Sequence, residues 1–237
     1  MNLFVLTGAG ISAESGLGTF RDREGLWRRF DPMRLATPEA FAADPDEVHA
    51  FYNLRRQGVV AAQLNAAHAA LARLETVLAE RGGALFLCTQ NVDDLHERAG
   101  SGSVTHMHGE ILKARCTACR DVRGNRGDLG TDQPCPSCGA AGSLRLDIGW
   151  FGEMPMHLGR IEAALDRADL FAAIGTSGAV YPAAGFAARA RRNGIRTLEM
   201  NLEPSDNAGS FDEARYGPAG AIVPAFVNDI CGREAQK

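Results

Sequence analysis

Two closely spaced pairs of cysteines are the strongest chemical signal in the sequence. The pairs are Cys116-x-x-Cys119 and Cys135-x-x-Cys138, separated by residues 120–134. Each pair can present two thiolates to one ion, and four thiolates complete the tetrahedral coordination that Zn²⁺ prefers. A complete set of protein ligands leaves no position for water or substrate, so the sequence predicts a structural zinc site. A redox-active pair is one alternative, and the basic residues around the cysteines also fit a zinc ribbon that binds nucleic acid.

A glycine-rich turn follows the first apolar run of the chain. Its sequence, Gly8-Ala9-Gly10-Ile11-Ser12-Ala13, matches the Gly-x-Gly-x-x-Ala form of the dinucleotide-binding fingerprint. The first amide groups of a helix beginning here would bind a pyrophosphate, but an ordinary strand-to-helix turn fits the same pattern. A dehydrogenase would place an acidic residue at the end of a second strand about 20 residues later. The sequence at that distance is polar with no strand before it, which disfavours a dehydrogenase.

Polar residues follow two further apolar runs. Gln90-Asn91-Val92-Asp93 comes directly after the run 84–89, where side chains would face a cleft, although Asn and Asp also cap helices. His106 and His108 lie at the end of the run 104–107, where a neutral imidazole would serve as a general base near pH 7. Either histidine also fits an ordinary packing role. Residues two apart on a strand point to opposite faces, so we expect at most one histidine to face the cleft.

Apolar runs typical of strands alternate with helical patterns along most of the chain. We predict strands at 3–6, 84–89, 104–107, 170–175 and 196–201. Helices are predicted at 66–81, where Asn65 would be the cap, around 158–168, and at 183–193. This alternation is typical of an α/β fold with a doubly wound parallel sheet.

Two segments depart from this alternation and predict a smaller lobe. Three prolines divide residues 31–64 into short helices, one of which we place at 46–57. The other segment is the cysteine region, at about 111–147. We expect the two segments to form this smaller lobe against the sheet. The ligand cleft of an open α/β protein usually lies beside the strand ends.

The composition fits a globular protein with one main domain. The 237 residues carry 25 Lys and Arg against 29 Asp and Glu, a net charge of −4, and 45% of them are hydrophobic. These values disfavour a disordered chain and a dedicated polyanion-binding protein. No apolar run approaches the ~20 residues of a membrane span, and a strand-like run follows Met1 almost at once. We therefore expect a cytoplasmic protein without a membrane segment.

The motifs occur together in the order found in sirtuins. Besides the cysteine pairs, they are Gly8-Ala9-Gly10-Ile11-Ser12, Thr19-Phe20-Arg21, Thr89-Gln90-Asn91-Val92-Asp93, His108-Gly109, Trp150-Phe151-Gly152-Glu153, Gly175-Thr176-Ser177 and Asn201. The chain resembles a bacterial CobB-type, class III-like sirtuin over residues 3–231. The resemblance implies an NAD-dependent protein lysine deacylase with a Rossmann-type NAD-binding lobe at 1–30, 76–110 and 148–237. It also implies a helical module at 31–75 and a zinc-ribbon module at 111–147, which together form the smaller lobe.

The resemblance implies that NAD is the co-substrate and that one Zn²⁺ per chain is structural. The residues that would bind NAD are Gly8, Ala9, Gly10, Ile11, Ser12, Phe20, Arg21, Gln90, Asn91, Val92, Asp93, Gly175, Thr176, Ser177, Asn201 and Ala219. Gln90 and Asn91 would order the nicotinamide ribose, and Asp93 with the Val92 backbone would hold the carboxamide. His108 would be the general base that takes a proton from the ribose hydroxyls, and Asn91 would be the second catalytic residue.

Acylated lysines of proteins would be the substrates, and the products would be nicotinamide, 2′-O-acyl-ADP-ribose and free lysine. A segment of five residues would pair as a strand with the substrate backbone: Gly149, Trp150, Phe151, Gly152 and Glu153. Family members commonly carry Pro-His-Val-Val where this chain has Leu146-Asp147-Ile148-Gly149. We expect Gly149 to keep its backbone contact with substrate while loosening the segment.

One pair of residues predicts the choice of acyl group. Tyr52 and Arg55 are three apart and share a helix face, which by itself fits a solvated surface. Sirtuins that remove acidic acyl groups carry Tyr-x-x-Arg here with a small residue upstream, which is Ala36 in this chain. The resemblance therefore implies that the pair receives the carboxylate of a succinyl or malonyl group. We expect both deacetylation and desuccinylation.

Three other functions fit part of these observations. They are a nicotinamide-dependent dehydrogenase, a zinc-ribbon protein that binds nucleic acid, and a sirtuin-like NAD hydrolase or ADP-ribosyltransferase. The last is the main alternative because it would use the same NAD site. We expect a monomer that binds neither a membrane nor a specific nucleic acid.

Overall fold

A computed structural model describes residues 1–18 and 32–232 of the chain. Its first elements are β1 (Asn2–Thr7), a 3₁₀-helix (Ala9–Ser15), α1 (Pro32–Leu35), α2 (Pro38–Ala43), α3 (Pro45–Ala61), α4 (Ala66–Glu80), β2 (Ala84–Thr89), α5 (Leu95–Arg98) and β3 (Val104–His106). They are followed by β4 (Gly109–Cys116), β5 (Val122–Gly124), β6 (Leu144–Ile148), α6 (Leu158–Leu165) and β7 (Leu170–Ile174). The last are α7 (Phe186–Arg192) after a 3₁₀ turn (Ala183–Gly185), β8 (Arg196–Asn201), β9 (Glu213–Tyr216) and α8 (Ala219–Gly232).

The larger sheet has six parallel strands in the order β3-β2-β1-β7-β8-β9. This confirms the predicted α/β fold with a doubly wound parallel sheet. The chain builds outward from β1 to β3 on one side and then returns beside β1 to build β7 to β9 on the other. The crevice at the carboxyl ends of β1 and β7 lies at this reversal, where open α/β sheets bind ligands.

Helices cover both faces of this sheet because alternate residues of its strands point to opposite sides. Leu3 and Val5 of β1 pack in one core with α4 and α8, whereas Phe4 and Leu6 pack in a second core with α6 and α7. Asn65 caps α4 as predicted, since its side chain accepts a hydrogen bond from the Ala67 amide at 2.9 Å. Residue 75, the predicted boundary of the helical module, falls inside α4, which packs on the larger sheet.

The smaller lobe combines the two segments that departed from the α/β alternation. Strands β5-β4-β6 form an antiparallel sheet. Apolar residues of this sheet, such as Ile111 and Leu146, share a core with Val48, Phe51 and Tyr52 of α3. Within the described residues, no helix is both long enough and apolar enough to cross a membrane.

Candidate functional site

The glycine-rich turns after β1 and β7 pack against each other, backbone to backbone. Gly8 and Gly10 donate hydrogen bonds to the carbonyl oxygens of Ile174 and Gly175, both at 2.9 Å. A Cβ on Gly8 would lie 2.7 Å from the Gly175 oxygen, and one on Gly175 would overlap the Ile11 amide. The glycines are therefore required for the two turns to approach. The Gly8 and Gly10 amides are used within the fold, so a phosphate contact from this turn would use other groups.

A buried hydrogen-bond network joins the turn after β1 to the loop after β2. The Asn91 side-chain amide donates to the Gly8 carbonyl oxygen at 3.2 Å and to Ser12 Oγ at 3.1 Å. Ser12 Oγ in turn donates to Asp93 Oδ2 at 3.1 Å. Asp93 Oδ1 also accepts from the Leu95 amide at 3.2 Å, which ties the loop to the start of α5, whereas the N-cap residue Asp94 makes no side-chain cap hydrogen bond. Burial raises the pKa of Asp93 above its ordinary value.

His106 and His108 both contact this same loop, through different carbonyl oxygens. Strand β3 ends at His106, and His108 lies in the turn that follows, so strand alternation does not apply to the pair. His106 Nδ1 is 3.2 Å from the Asn91 carbonyl oxygen, and His108 Nδ1 is 3.0 Å from the Gln90 carbonyl oxygen. Burial lowers the pKa of His108, which favours its neutral form at pH 7.

Gly109 allows the polypeptide to turn directly after His108. Its φ is +80°, and a Cβ at this position would overlap the carbonyl oxygen of Asp147 on β6. The Gly149 amide donates to the His108 carbonyl oxygen at 3.0 Å, so the end of β6 is tied to the same turn. The unusual Asp147 is paired with Arg115 Nε at 2.7 Å, which offsets the cost of its burial.

The carboxyl ends of β7 and β8 supply a second group of candidate NAD-binding residues. The Asn201 side-chain amide donates to the Thr176 carbonyl oxygen at 2.9 Å and to Glu199 Oε1 at 3.1 Å. Ser177 Oγ accepts from the Ala179 amide at 3.3 Å, and Ala219 begins α8. The turn after β7 and Asn201 at the end of β8 thus lie together at the carboxyl ends of the strands, where open α/β sheets bind dinucleotides. Phe20 and Arg21 lie outside the described residues.

Tyr52 and Arg55 lie side by side on α3, as the spacing predicted. The Arg55 guanidinium carbon is 5.6 Å from the centre of the Tyr52 ring, and the Tyr52 ring is 6.5 Å from that of Trp150. Burial lowers the pKa of Arg55, and the charges of Tyr52 and Asp93 oppose that shift. The pair therefore lies where the smaller lobe meets the loop after β2. Ala36 is in the same region, because its carbonyl oxygen accepts from the Phe151 amide at 2.9 Å.

The segment from Trp150 to Glu153 is a turn, which corrects the expectation of an extended strand. The Glu153 amide donates to the Trp150 carbonyl oxygen at 3.0 Å, and Gly152 takes the left-handed conformation with φ +87°. Arg145 binds Glu153 through both carboxylate oxygens, at 2.8 and 3.0 Å. Its guanidinium carbon also lies 3.4 Å from the centre of the Trp150 ring. Sequence reasoning missed Arg145, whose only signal was an arginine on β6, a strand that also carries Asp147.

The four cysteines converge on one point in the smaller lobe. Their sulfur atoms all lie within 4.8 Å of one another, and the Cys116–Cys138 and Cys119–Cys135 distances are both 3.8 Å. Four sulfurs at the Zn–S bond length of ~2.3 Å in a tetrahedron would be about 3.8 Å apart. The cluster therefore fits a structural zinc ion.

The chain is similar to proteins of one family along nearly its whole length. A protein-family model described as "Sir2 family" matches residues 8–182 of this chain. An NAD-dependent protein deacylase of Caulobacter vibrioides is 56% identical, with 98% of each chain covered. One of Salmonella typhimurium is 50% identical over 95% of this chain and 82% of its own. The solved structure of a Sir2 homolog–NAD complex has a TM-score of 0.89 and 40% identity, covering 100% of this chain and 91% of that one.

Proposed function

The chain belongs to the Sir2 family, and we propose that it removes both acetyl and succinyl or malonyl groups from protein lysines with NAD as co-substrate. NAD supplies the ADP-ribose that accepts the acyl group, and the products are nicotinamide, 2′-O-acyl-ADP-ribose and free lysine. The observation that carries the proposal is the junction of Ser12, Asn91 and Asp93 next to the half-buried His108.

His108 is the general base in this proposal. Its Nδ1 faces a carbonyl oxygen, which can only accept, so Nδ1 carries the hydrogen of the neutral ring. Nε2 then keeps a free electron pair that can take a proton from a ribose hydroxyl. Because burial lowers the pKa of His108, this form is the populated one at neutral pH.

Asn91 and Asp93 orient the nicotinamide end of NAD. Their side chains are held by Ser12 in a region from which bulk water is excluded, so their polar atoms have fixed directions before NAD arrives. Gln90 and the Val92 backbone belong to the same loop and complete this part of the site. Phe20 and Arg21 are assigned to the nicotinamide ribose by sequence alone.

The adenosine end binds at the carboxyl ends of β7 and β8. Gly175, Thr176 and Ser177 form the turn that accommodates phosphates and ribose, and Asn201 contacts the adenosine ribose, with Ala219 near the adenine. Glu199 supports this arrangement, since it accepts from the Asn201 side chain at 3.1 Å and from the Tyr216 hydroxyl at 2.9 Å.

The preference for the acyl group depends on Tyr52 and Arg55, whose phenol and guanidinium would bind a terminal carboxylate. The substrate backbone binds along Gly149, Trp150, Phe151, Gly152 and Glu153. We retain the predicted cytoplasmic location and monomeric state as parts of this proposal.

Nicotinamide release and peptide deacylation, measured together, test the proposal. The chain is incubated with NAD and one peptide carrying acetyl-lysine, succinyl-lysine or unmodified lysine. We expect nicotinamide and free lysine in equal amounts with both acyl peptides and neither with the unmodified one. Nicotinamide released equally without an acyl group would identify an NAD hydrolase, and a peptide gaining ADP-ribose would identify a transferase. Activity on acetyl-lysine alone would remove the acidic-acyl part of the proposal.

A further inference from the structure

His106 is buried with a hydrogen-bond acceptor at each ring nitrogen. Its Nδ1 is 3.2 Å from the Asn91 carbonyl oxygen, and its Nε2 is 2.7 Å from Glu97 Oε1. A carbonyl and a carboxylate can only accept, so both contacts are hydrogen bonds only when both nitrogens carry hydrogen. The doubly protonated imidazolium is therefore the form that the surroundings satisfy.

The charges around His106 come from two elements. Glu97, Asp93 and His96 face it from the segment leading into and forming α5, and Glu110 on β4 adds a carboxylate, with Lys113 near Glu97. Burial alone would lower the pKa of His106, but the hydrogen bond and charge of Glu97, together with the charge of Glu110 and the hydrogen bond to Asn91, raise it above the ordinary value.

His108 provides the contrast two residues later. Its Nδ1 contacts the Gln90 carbonyl oxygen, and burial lowers its pKa rather than raising it. The two histidines thus contact consecutive carbonyl oxygens of one loop, in surroundings that shift their pKa values in opposite directions. Environments that push the pKa values of neighbouring groups apart are typical of divided acid–base roles.

We propose that the His106–Glu97 pair is a positioning device that fixes the Asn91 carbonyl, and with it the Asn91 side chain, only while His106 is protonated. The inference rests on the proposed function, because it assigns Asn91 to the catalytic loop. When pH rises through the pKa of His106, one nitrogen loses its hydrogen and one acceptor loses its donor. The position of Asn91 is then held less firmly, so turnover falls at alkaline pH.

In this proposal the acidic and alkaline limbs of the pH profile, in which turnover rises and then falls, depend on different histidines. Turnover rises with pH as His108 becomes neutral and falls at higher pH as His106 loses its proton. The two limbs lie on opposite sides of the ordinary histidine pKa, because burial lowers one pKa and Glu97 raises the other.

Four variants test the proposal through pH profiles of kcat and KM on an acetyl-lysine peptide. Glu97→Gln removes the charge, so we expect the alkaline limb to move down by about one pH unit, with up to ~10-fold lower kcat above it. His106→Asn places an amide donor where Nδ1 was, so it should keep most turnover and lose this limb. His106→Ala should lower kcat about 10-fold at all pH values. Glu80→Gln, an exposed charge at the end of α4, is the matched control and should leave the profile unchanged.

Histidine titration by NMR supplies a readout that does not depend on turnover. We expect the His106 pKa above 6.5 in the parent protein and at least about one unit lower in Glu97→Gln. An active parent protein whose alkaline limb and His106 pKa are unmoved by Glu97→Gln would overturn the inference. A parent protein that releases no lysine would overturn the proposed function instead, while the NMR titration would still decide the charge state of the pair.

Discussion

Arg145 and Glu153 form a two-point ion pair that closes the turn containing Trp150. The two N–O distances are 2.8 and 3.0 Å, and the Arg145 side chain is only 9% exposed. Glu153 Oε2 also accepts from the Trp150 amide at 2.7 Å, so the carboxylate binds both the arginine and the turn. A planar guanidinium suits this geometry because it can donate two parallel hydrogen bonds and stack on an aromatic ring.

Arg145→Lys should therefore weaken peptide binding more than it slows chemistry. A lysine keeps the charge but loses the paired hydrogen bonds and the stacking on Trp150, so the turn becomes less ordered. We expect the KM for an acyl peptide to rise about 10-fold while kcat changes less than about 3-fold. Arg189→Lys is the matched control, since Arg189 pairs with the exposed Asp166. Equal changes in the two variants would show that the Arg145 ion pair does not order the peptide site.

Cys119→Ser should remove zinc and destabilise the smaller lobe. The four sulfurs fit a single tetrahedral ion, and a structural zinc contributes directly to folding free energy. We expect about one zinc per chain in the parent protein, measured by elemental analysis, and less than about 0.2 in the variant. Cys231→Ser is the control because Cys231 lies on α8, outside the cluster. A Cys119→Ser protein that retained zinc and full activity would contradict a structural metal.

The sequence predicted the larger sheet well because its central strands are buried on both faces. Strands β1, β2, β7 and β8 lie within about one residue of the predicted ranges, as continuous apolar runs predict strands in a parallel sheet. Strand β9 was missed because it is a short edge strand whose residues are mostly exposed. An exposed edge leaves no apolar alternation for a pattern to detect.

The motifs identified the loops of the candidate site but not the contacts between them. Ser12, Asn91 and Asp93 are joined across the fold by hydrogen bonds that follow from the packing of β1 beside β2. The partners of Arg145 and His106 are likewise set by tertiary structure. Strand alternation does not extend to His108 because β3 ends at His106, one residue before the end of its apolar run.

His108→Ala should abolish most turnover while leaving NAD bound. Removal of a positioned base lowers kcat by about 100-fold or more. Within the described residues, the contact of the ring with the loop is its hydrogen bond to the Gln90 carbonyl oxygen. We expect the dissociation constant for NAD, measured by calorimetry, to change less than about 3-fold. His157→Asn, at an exposed position with φ +61°, is the control. Near-normal turnover in His108→Ala would show that His108 is not the general base.

Burial of His68 should make stability fall as the solution becomes acidic. Burial lowers the pKa of His68 from 6.5 to about 4, so the unfolded chain binds a proton more readily. The contribution of neutral His68 to the free energy of unfolding is fully present above pH 6.5 and is lost as the pH falls toward 4. Between pH 7.5 and 5.5, His68 alone should cost about 1.3 kcal/mol of unfolding free energy. In urea unfolding, His68→Asn should reduce the pH dependence by that amount, and an unchanged dependence would contradict a neutral buried ring.

Arg55 should decide the preference for acidic acyl groups. Its guanidinium lies beside Tyr52 near the loop that carries Asp93, where a terminal carboxylate of the acyl chain would gain a charge-assisted hydrogen bond. Arg55→Met keeps much of the side-chain volume and removes the charge. Loss of one such contact should lower kcat/KM for a succinyl peptide by about 10-fold or more. An acetyl group has no carboxylate, so kcat/KM for the acetyl peptide should change less than about 2-fold.

The two peptides, identical except for the acyl group, make each preparation its own control for folding and NAD binding. Arg34→Met supplies a matched variant, because Arg34 lies on α1 with 73% of its side chain exposed and pairs only loosely with Glu47 at 3.4 Å. We expect that variant to leave the ratio of succinyl to acetyl kcat/KM unchanged. Tyr52→Phe should lower the same ratio by a smaller factor, since the phenol contributes one uncharged donor rather than a cation. Equal losses of kcat/KM on both peptides in Arg55→Met would show that Arg55 does not recognise the acyl group. Its role would then be to support the contact between the smaller lobe and the loop after β2.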